Sequence, residues 1–205
     1  MPFSDCNPYL NLTNTELLIF PDGSVKGQKG GFGYLQIRSK LYKLWHLNSP
    51  HGRSYFNKIP DLITELQTRI QSPPNNTSYY HSEEYSDYLT LRCTIKYCEV
   101  LAIHTAIMNF AKRCEYTLTS VQRYTKLRII SDSLTVLRYI DGDYFIRTPH
   151  MKKLVDEIHW NTTCIQEYLP NIHIEFQWTK SHFECFGNHY ADYLALCGRL
   201  RLKRK

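Results

Sequence analysis

The stretch Leu17-Leu18-Ile19-Phe20-Pro21-Asp22-Gly23-Ser24 decides how this 205-residue chain is read. A short continuous apolar run closed by a turn signal is the pattern of a strand buried on both faces. It puts Asp22 at the strand's end, at the margin of the core, where a carboxylate can hold a metal ion. Asp-Gly after a strand also makes a plain turn. The site reading therefore needs further acids in matching positions, and Glu99, Asp132 and Asp192 supply them.

Each of the three comes with a pattern of its own. From about Leu91 to Lys112 the sequence reads as a long helix in which Glu99, Ala102, Ile103, Ala106 and Phe110 share one face. Glu99 thus falls on the side that apolar residues bury, where an ionised acid needs a partner. Leu127 to Ile130 reads as a second buried strand, ending in Ser131-Asp132-Ser133 before the helical pattern Leu134, Leu137, Ile140. Asp132 is there either a helix N-cap or a site residue. A helix over Lys152–Tyr168 and an alternating strand over Ile172–Trp178 follow. The loop Thr179–Phe186 then leads to a last helix on which Asp192 and Ala195 share a face.

The remaining segments set the organisation. Gly27, Gly30, Gly31 and Gly33 punctuate a turn, and Tyr34–Arg38 and Leu41–Trp45 alternate as two antiparallel strands of a meander. Residues 48–89, with Pro50, Gly52, Pro73 and Pro74, read as an insertion carrying one amphipathic helix over Pro60–Gln71. Its tyrosines at 79, 80, 85 and 88 suit packing under a loop better than stacking on bases. The expected layout is a poorly ordered leader over 1–15, a domain over 16–200 containing the insertion, and a basic tail over 201–205.

The fold class this order implies is α/β: a five-stranded mixed sheet with helices on both faces. If the first and fourth strands lie side by side, Asp22 and Asp132 converge, and the helices bearing Glu99 and Asp192 cover that end of the sheet. Four carboxylates at one place repel unless divalent cations neutralise them, and oxygen-only ligands select Mg²⁺ or Mn²⁺. Two such ions about 4 Å apart activate a water and stabilise the leaving oxygen of a phosphodiester.

Composition narrows the partners. The formal net charge of +6 points to a polyanion, but Arg199, Arg201, Lys203, Arg204 and Lys205 carry almost all of it, so the body is nearly neutral. No apolar stretch approaches the roughly 18 residues that span a bilayer, and the amino terminus lacks a signal-peptide pattern. We expect an intracellular protein, nuclear or cytoplasmic, that does not engage membranes. Seven cysteines without a regular framework read as free thiols.

Taken together, the motifs resemble those of the ribonuclease H family, most closely the domains linked to reverse transcriptases. Asp22-Gly23-Ser24 is similar to the first motif and Gly30-Gly31-Phe32-Gly33 to the glycine turn after it. Glu99 with Ala102 is similar to the helix motif, and Ser131-Asp132-Ser133 to the third. Trp178-Thr179-Lys180-Ser181-His182, with Gly187-Asn188 and Ala191-Asp192, resembles the last. The resemblance covers about residues 16–198, outside the insertion. It implies a ribonuclease H-like fold and hydrolysis of the RNA strand of an RNA/DNA hybrid. Asp22, Glu99, Asp132 and Asp192 would ligate two Mg²⁺ ions, with Mn²⁺ as a substitute. His182 would assist proton movement or product release, and Gly23, Ser24, Asn188 and Lys180 would contact substrate. Partners would be the hybrid and, through the linked subfamily, a reverse transcriptase; the protein itself would be a monomer. Ile95 and Lys96 stand where the family has asparagines that read the RNA strand, so hydrolysis is implied more directly than hybrid specificity. Other readings remain open: a binding protein of the same fold without catalysis, a DNA-cleaving relative, and a zinc site from His182, Cys185 and His189.

Overall fold

The computed structural model describes residues 12–27, 29–39, 42, 82–89, 93–180 and 185–200. Five strands form one sheet in the order β3-β2-β1-β4-β5. They are β1 (Glu16–Lys26), β2 (Lys29–Arg38), β3 (Ser82–Leu89), β4 (Lys126–Ser131) and β5 (His173–Trp178). β1, β2 and β3 are antiparallel neighbours, whereas β4 runs parallel to both β1 and β5. The described helices are α1 (Ile95–Tyr116), α2 (Leu118–Val121), α3 (Leu134–Ile140), α4 (Pro149–Tyr168) and α5 (Phe186–Leu200).

β1 is buried on both faces because its apolar run feeds two cores. Leu17 and Ile19 face α1 and α4, in a cluster with Ile103, Ile107, Phe110, Leu154 and Ile158. Leu18 and Phe20 face the opposite side, with Leu35, Ile37, Tyr190, Ala191 and Leu194, where α5 packs. The period of two along a strand sends alternate side chains to opposite faces. A run without polar interruptions therefore belongs in the centre of the sheet, and the helices expected on both faces are there.

Several boundaries differ from the sequence reading. Pro21-Asp22-Gly23 does not end β1: the strand continues to Lys26, with Asp22 opposite Gly33. It ends only as a partner of β4, whose pairing stops at Ile19. Pro21, with no N–H to donate, thus lies past the two-sided part of the ladder. Gly27, at φ 62°, makes the β1–β2 turn. Gly30, Gly31 and Gly33 lie inside β2 instead of punctuating that turn. A Cβ on Gly31 would run into the backbone of α5 at Ala195 and Arg199, so this glycine is where helix and sheet touch.

The third strand also comes from elsewhere. Tyr42, inside the segment expected to be a strand at Leu41–Trp45, is helical and fully buried, stacked on Phe20 with ring centroids 5.2 Å apart. β2 is partnered instead by Ser82–Leu89, the end of the expected insertion. Two-residue alternation in 41–45 suited a strand equally well; chain pairing, which local pattern does not record, chose the later segment. The helix expected over Pro60–Gln71, Tyr79, Tyr80 and the basic tail lie outside the described residues. So does the expected leader as far as residue 11, but residues 12–15 are anchored. Leu12 is buried, Thr13 N–H donates to Glu16 Oε1 at 2.9 Å, and Thr125 N–H donates to the Thr15 carbonyl at 3.0 Å.

No described helix is long and apolar enough to cross a membrane. The six described cysteines, Cys93, Cys98, Cys114, Cys164, Cys185 and Cys197, are free thiols.

Candidate active site

The split in the sheet makes the site. Where β4 ends at Ser131 while β1 runs on, Asp22 projects from β1 and Asp132 from the residue after β4. Glu99 comes from the start of α1 and Asp192 from the middle of α5. A cavity of about 200 Å³ is lined by Asp22, Gly23, Ile95, Glu99, Asp132, Asn188, His189 and Asp192. All four sequence-expected carboxylates thus face one space. Among the described residues, no three His, Cys, Asp or Glu side chains close into a preformed metal-binding group.

Gly23 brings α1 close enough to place Glu99. A Cβ on it would lie 2.6 Å from Cys98 Cβ and 2.8 Å from the Glu99 nitrogen, well inside van der Waals contact. Any other side chain would push α1 off β1 between two of the acids. The Asp22 carboxylate is held by its neighbour, Gly23 N–H donating to Oδ1 at 2.6 Å. The Ser133 hydroxyl donates to Glu99 Oε2 at 2.7 Å, and Ser133 N–H donates to Ser131 Oγ at 3.1 Å, so the turn after β4 braces the helix acid. Ser133, not Asp132, is the N-cap of α3, and it makes no side-chain capping bond. The Asp132 carboxylate is left facing the cavity.

The charges oppose one another. Burial, then Asp132 and Asp192, raise the Asp22 carboxyl well above its ordinary range; Gly23 N–H opposes this and Glu99 adds to it. Burial pushes Glu99 up to about 7, the Ser133 hydroxyl and Lys96 opposing and Asp132 adding. A site that disfavours its own ionised acids is one built to receive cations.

The other expected residues divide. Asn188 lines the cavity, is 7% exposed, and neither Oδ1 nor Nδ2 has a hydrogen-bond partner among the described residues. A buried amide left open on both ends is unusual enough to need a reason. Gly23 lines the cavity; Ser24 and Lys180 are not part of its lining. His182 lies outside the described residues. Cys185, from the alternative zinc set, sits 1% exposed in the α5-side core with Tyr42 Oη 3.7 Å from its sulfur, and burial raises its thiol to about 11. The sequence reading gave no role to Ser133, Ile95 or, beyond a zinc site, His189. Helical spacing was the available signal: His189 and Asn188 stand three and four residues before Asp192, and Ile95 four before Glu99.

The architecture has known counterparts. The N-terminal RNase H domain of a Mycobacterium tuberculosis protein, solved as a fusion with maltose-binding protein, is 13% identical, with TM-score 0.55. That match covers 91% of this chain and 95% of that one. LC11-RNase H1 in complex with an RNA/DNA hybrid is 16% identical with TM-score 0.56, covering 90% and 97%. The structure of the same enzyme isolated from compost by a metagenomic approach gives 16%, 0.56, 91% and 97%. No protein-family model matches the sequence, and no curated protein matches it. The chain has the ribonuclease H fold.

Proposed function

We propose that the protein is a divalent-metal-dependent endonuclease that hydrolyses the RNA strand of an RNA/DNA hybrid, leaving 5′-phosphate and 3′-hydroxyl ends. The observation that carries this reading is the one cavity into which Asp22, Glu99, Asp132 and Asp192 all face. Hybrid as the substrate follows the likeness to a fold counterpart solved with that ligand.

The donor set fits hard cations. It is all carboxylate oxygen, Asp22 is half-buried, and the acids raise one another's protonation. Asp22, Glu99, Asp132 and Asp192 would hold two Mg²⁺ ions, with Mn²⁺ as a substitute. Bound there, the metal supplies an activated water and stabilisation of the leaving oxygen. The protein's own residues do the rest. Ser133 keeps the Glu99 carboxylate turned into the cavity. The Asn188 amide, without a partner among the described residues, offers a donor and an acceptor to the phosphodiester backbone. His182, which lies outside the described residues, would assist proton movement or product release. Ile95, 42% exposed, offers an apolar contact at the same cavity. We read the protein as an intracellular monomer that associates with a reverse transcriptase.

The deciding experiment compares cleavage of hybrid, duplex RNA and duplex DNA in Mg²⁺ and in chelator. Hybrid-selective cleavage that chelation stops is expected. Cleavage that persists in chelator, or that attacks DNA alone, overturns the reading, and hybrid binding without cleavage leaves a binding protein of this fold.

A further inference from the structure

Two thiols meet at the first turn of α1, beside the acid cavity but outside its lining. Cys98 is fully buried on the helix, and Cys93 is half-buried on the segment that enters it. Their sulfurs are 3.6 Å apart. Both pack over β2 at Gly30, where an added Cβ would meet Cys93 Sγ and lie 3.2 Å from Cys98 Sγ. On its other side, Cys98 Cβ presses against Gly23. Glu99 is the next residue.

We propose that Cys93 and Cys98 are a modification site that closes to a disulfide under a hydroperoxide and lowers hydrolysis by displacing Glu99. The effect on activity rests on the function proposed above; the disulfide itself does not. A sulfur–sulfur bond is about 2.05 Å long, so the two atoms must approach by about 1.5 Å. Cys93 is the sulfur an oxidant reaches, since Cys98 is sealed between β1, β2 and α1. The peroxide O–O bond breaks as one oxygen transfers to the Cys93 thiol, giving a sulfenic acid and releasing an alcohol, or water when the oxidant is hydrogen peroxide. The Cys98 sulfur then attacks the Cys93 sulfur, its proton passing to the departing hydroxyl, which leaves as water. Two thiols lose two electrons and two protons, and the hydroperoxide takes up both.

The new bond spans the cap of α1. Thr94, between the two cysteines, accepts Tyr97 N–H on its hydroxyl at 3.2 Å and Cys98 N–H on its carbonyl at 3.2 Å. Drawing Cys93 toward Cys98 tightens that turn and moves the backbone at 98–99 against Gly23. There is no slack there, a Cβ being already too large.

Trypsin cuts after Lys96 and so separates the two cysteines. In protein treated with hydrogen peroxide and then alkylated, peptide 93–96 should appear linked to peptide 97–112 with two hydrogens missing, and dithiothreitol should abolish the link. Hybrid cleavage should fall several-fold on oxidation and recover with reductant. Cys93→Ser, with an unchanged thermal transition, should keep its activity in peroxide. Absence of the linked peptides overturns the site, and equal inactivation of Cys93→Ser overturns its effect on Glu99. If the reduced protein cleaves nothing, the linked peptides still decide the disulfide, and the functional reading alone fails.

Discussion

The indole Nε1–H of Trp178, the last residue of β5, donates to the main-chain carbonyl of Asp132 at 3.1 Å. The same carbonyl accepts Leu134 N–H at 3.2 Å, and Thr179 N–H donates to the Ser131 carbonyl at 3.0 Å. The turn that carries Asp132 is thus held by the neighbouring strand as well as by its own helix. Replacing Trp178 by Phe keeps most of the ring and removes the donor. It should cost about 1 kcal/mol of stability, read by urea unfolding. It should also raise the Mg²⁺ concentration needed for half-maximal cleavage. An unchanged metal requirement would show that the turn holds its place without Trp178.

Asp132→Asn tests the acid itself. The shape is nearly kept, but one negative charge facing the cavity is lost and the repulsion on Asp22 is relieved. Turnover should vanish while the fold persists, and in chelator the thermal transition should rise above that of the unmodified protein. Activity equal to that of the unmodified protein would place the metal elsewhere. His182→Ala should slow turnover less, because a histidine that moves protons is not a ligand; equal losses would merge the two roles.

The acids were legible because each interrupts a pattern that fixes where it must sit. Asp22 follows a run apolar at every position, and Glu99 sits on the face shared by Ala102, Ile103, Ala106 and Phe110. The third strand was not. Tyr42 alternates with its neighbours as a strand residue would, yet it fills the α5-side core from a helical position, and Ser82–Leu89 takes the sheet edge. Pairing across some forty residues leaves no local mark. The β2 glycines resemble turn residues because a glycine needed for close approach looks the same in sequence as one needed for a turn. Gly31 is the first kind and Gly27 the second. Ser133 stands in a sequence motif that assigns it no role, since its bond to Glu99 crosses from one element to another.

Glu99 sets a pH dependence. Its carboxyl titrates near 7 in the metal-free fold against an ordinary 4.5, so between those values the folded state keeps a proton that the unfolded chain has released. Folding is therefore unpenalised below the ordinary value, and stability is lost as pH rises through about 7. Asp22 pulls in the same direction. In chelator, Glu99→Gln should be more stable than the unmodified protein above about pH 8, by at most roughly 3 kcal/mol. The gain should vanish at acid pH and reverse in saturating Mg²⁺. Thermal unfolding across pH checks it, and a pH-independent gain would assign the effect to packing.

The carboxyl-terminal run Arg201-Leu202-Lys203-Arg204-Lys205 supplies charge to a body that is otherwise nearly neutral. A polyanionic hybrid held by a neutral body needs cations from somewhere, and this run holds four of them. Each phosphate neutralised contributes roughly 0.9 to the slope of log affinity against log salt on a B-form duplex. Four such contacts would account for a slope of up to about 3.6, and fewer if some of the side chains face solvent. Deleting residues 201–205 removes none of the four carboxylates, so turnover at saturating hybrid should survive while affinity falls and its salt dependence flattens. Hybrid affinity measured at several salt concentrations, for the full chain and the truncated one, gives both slopes directly. Parallel slopes would assign the run to a partner other than substrate, such as a carrier that reads basic clusters.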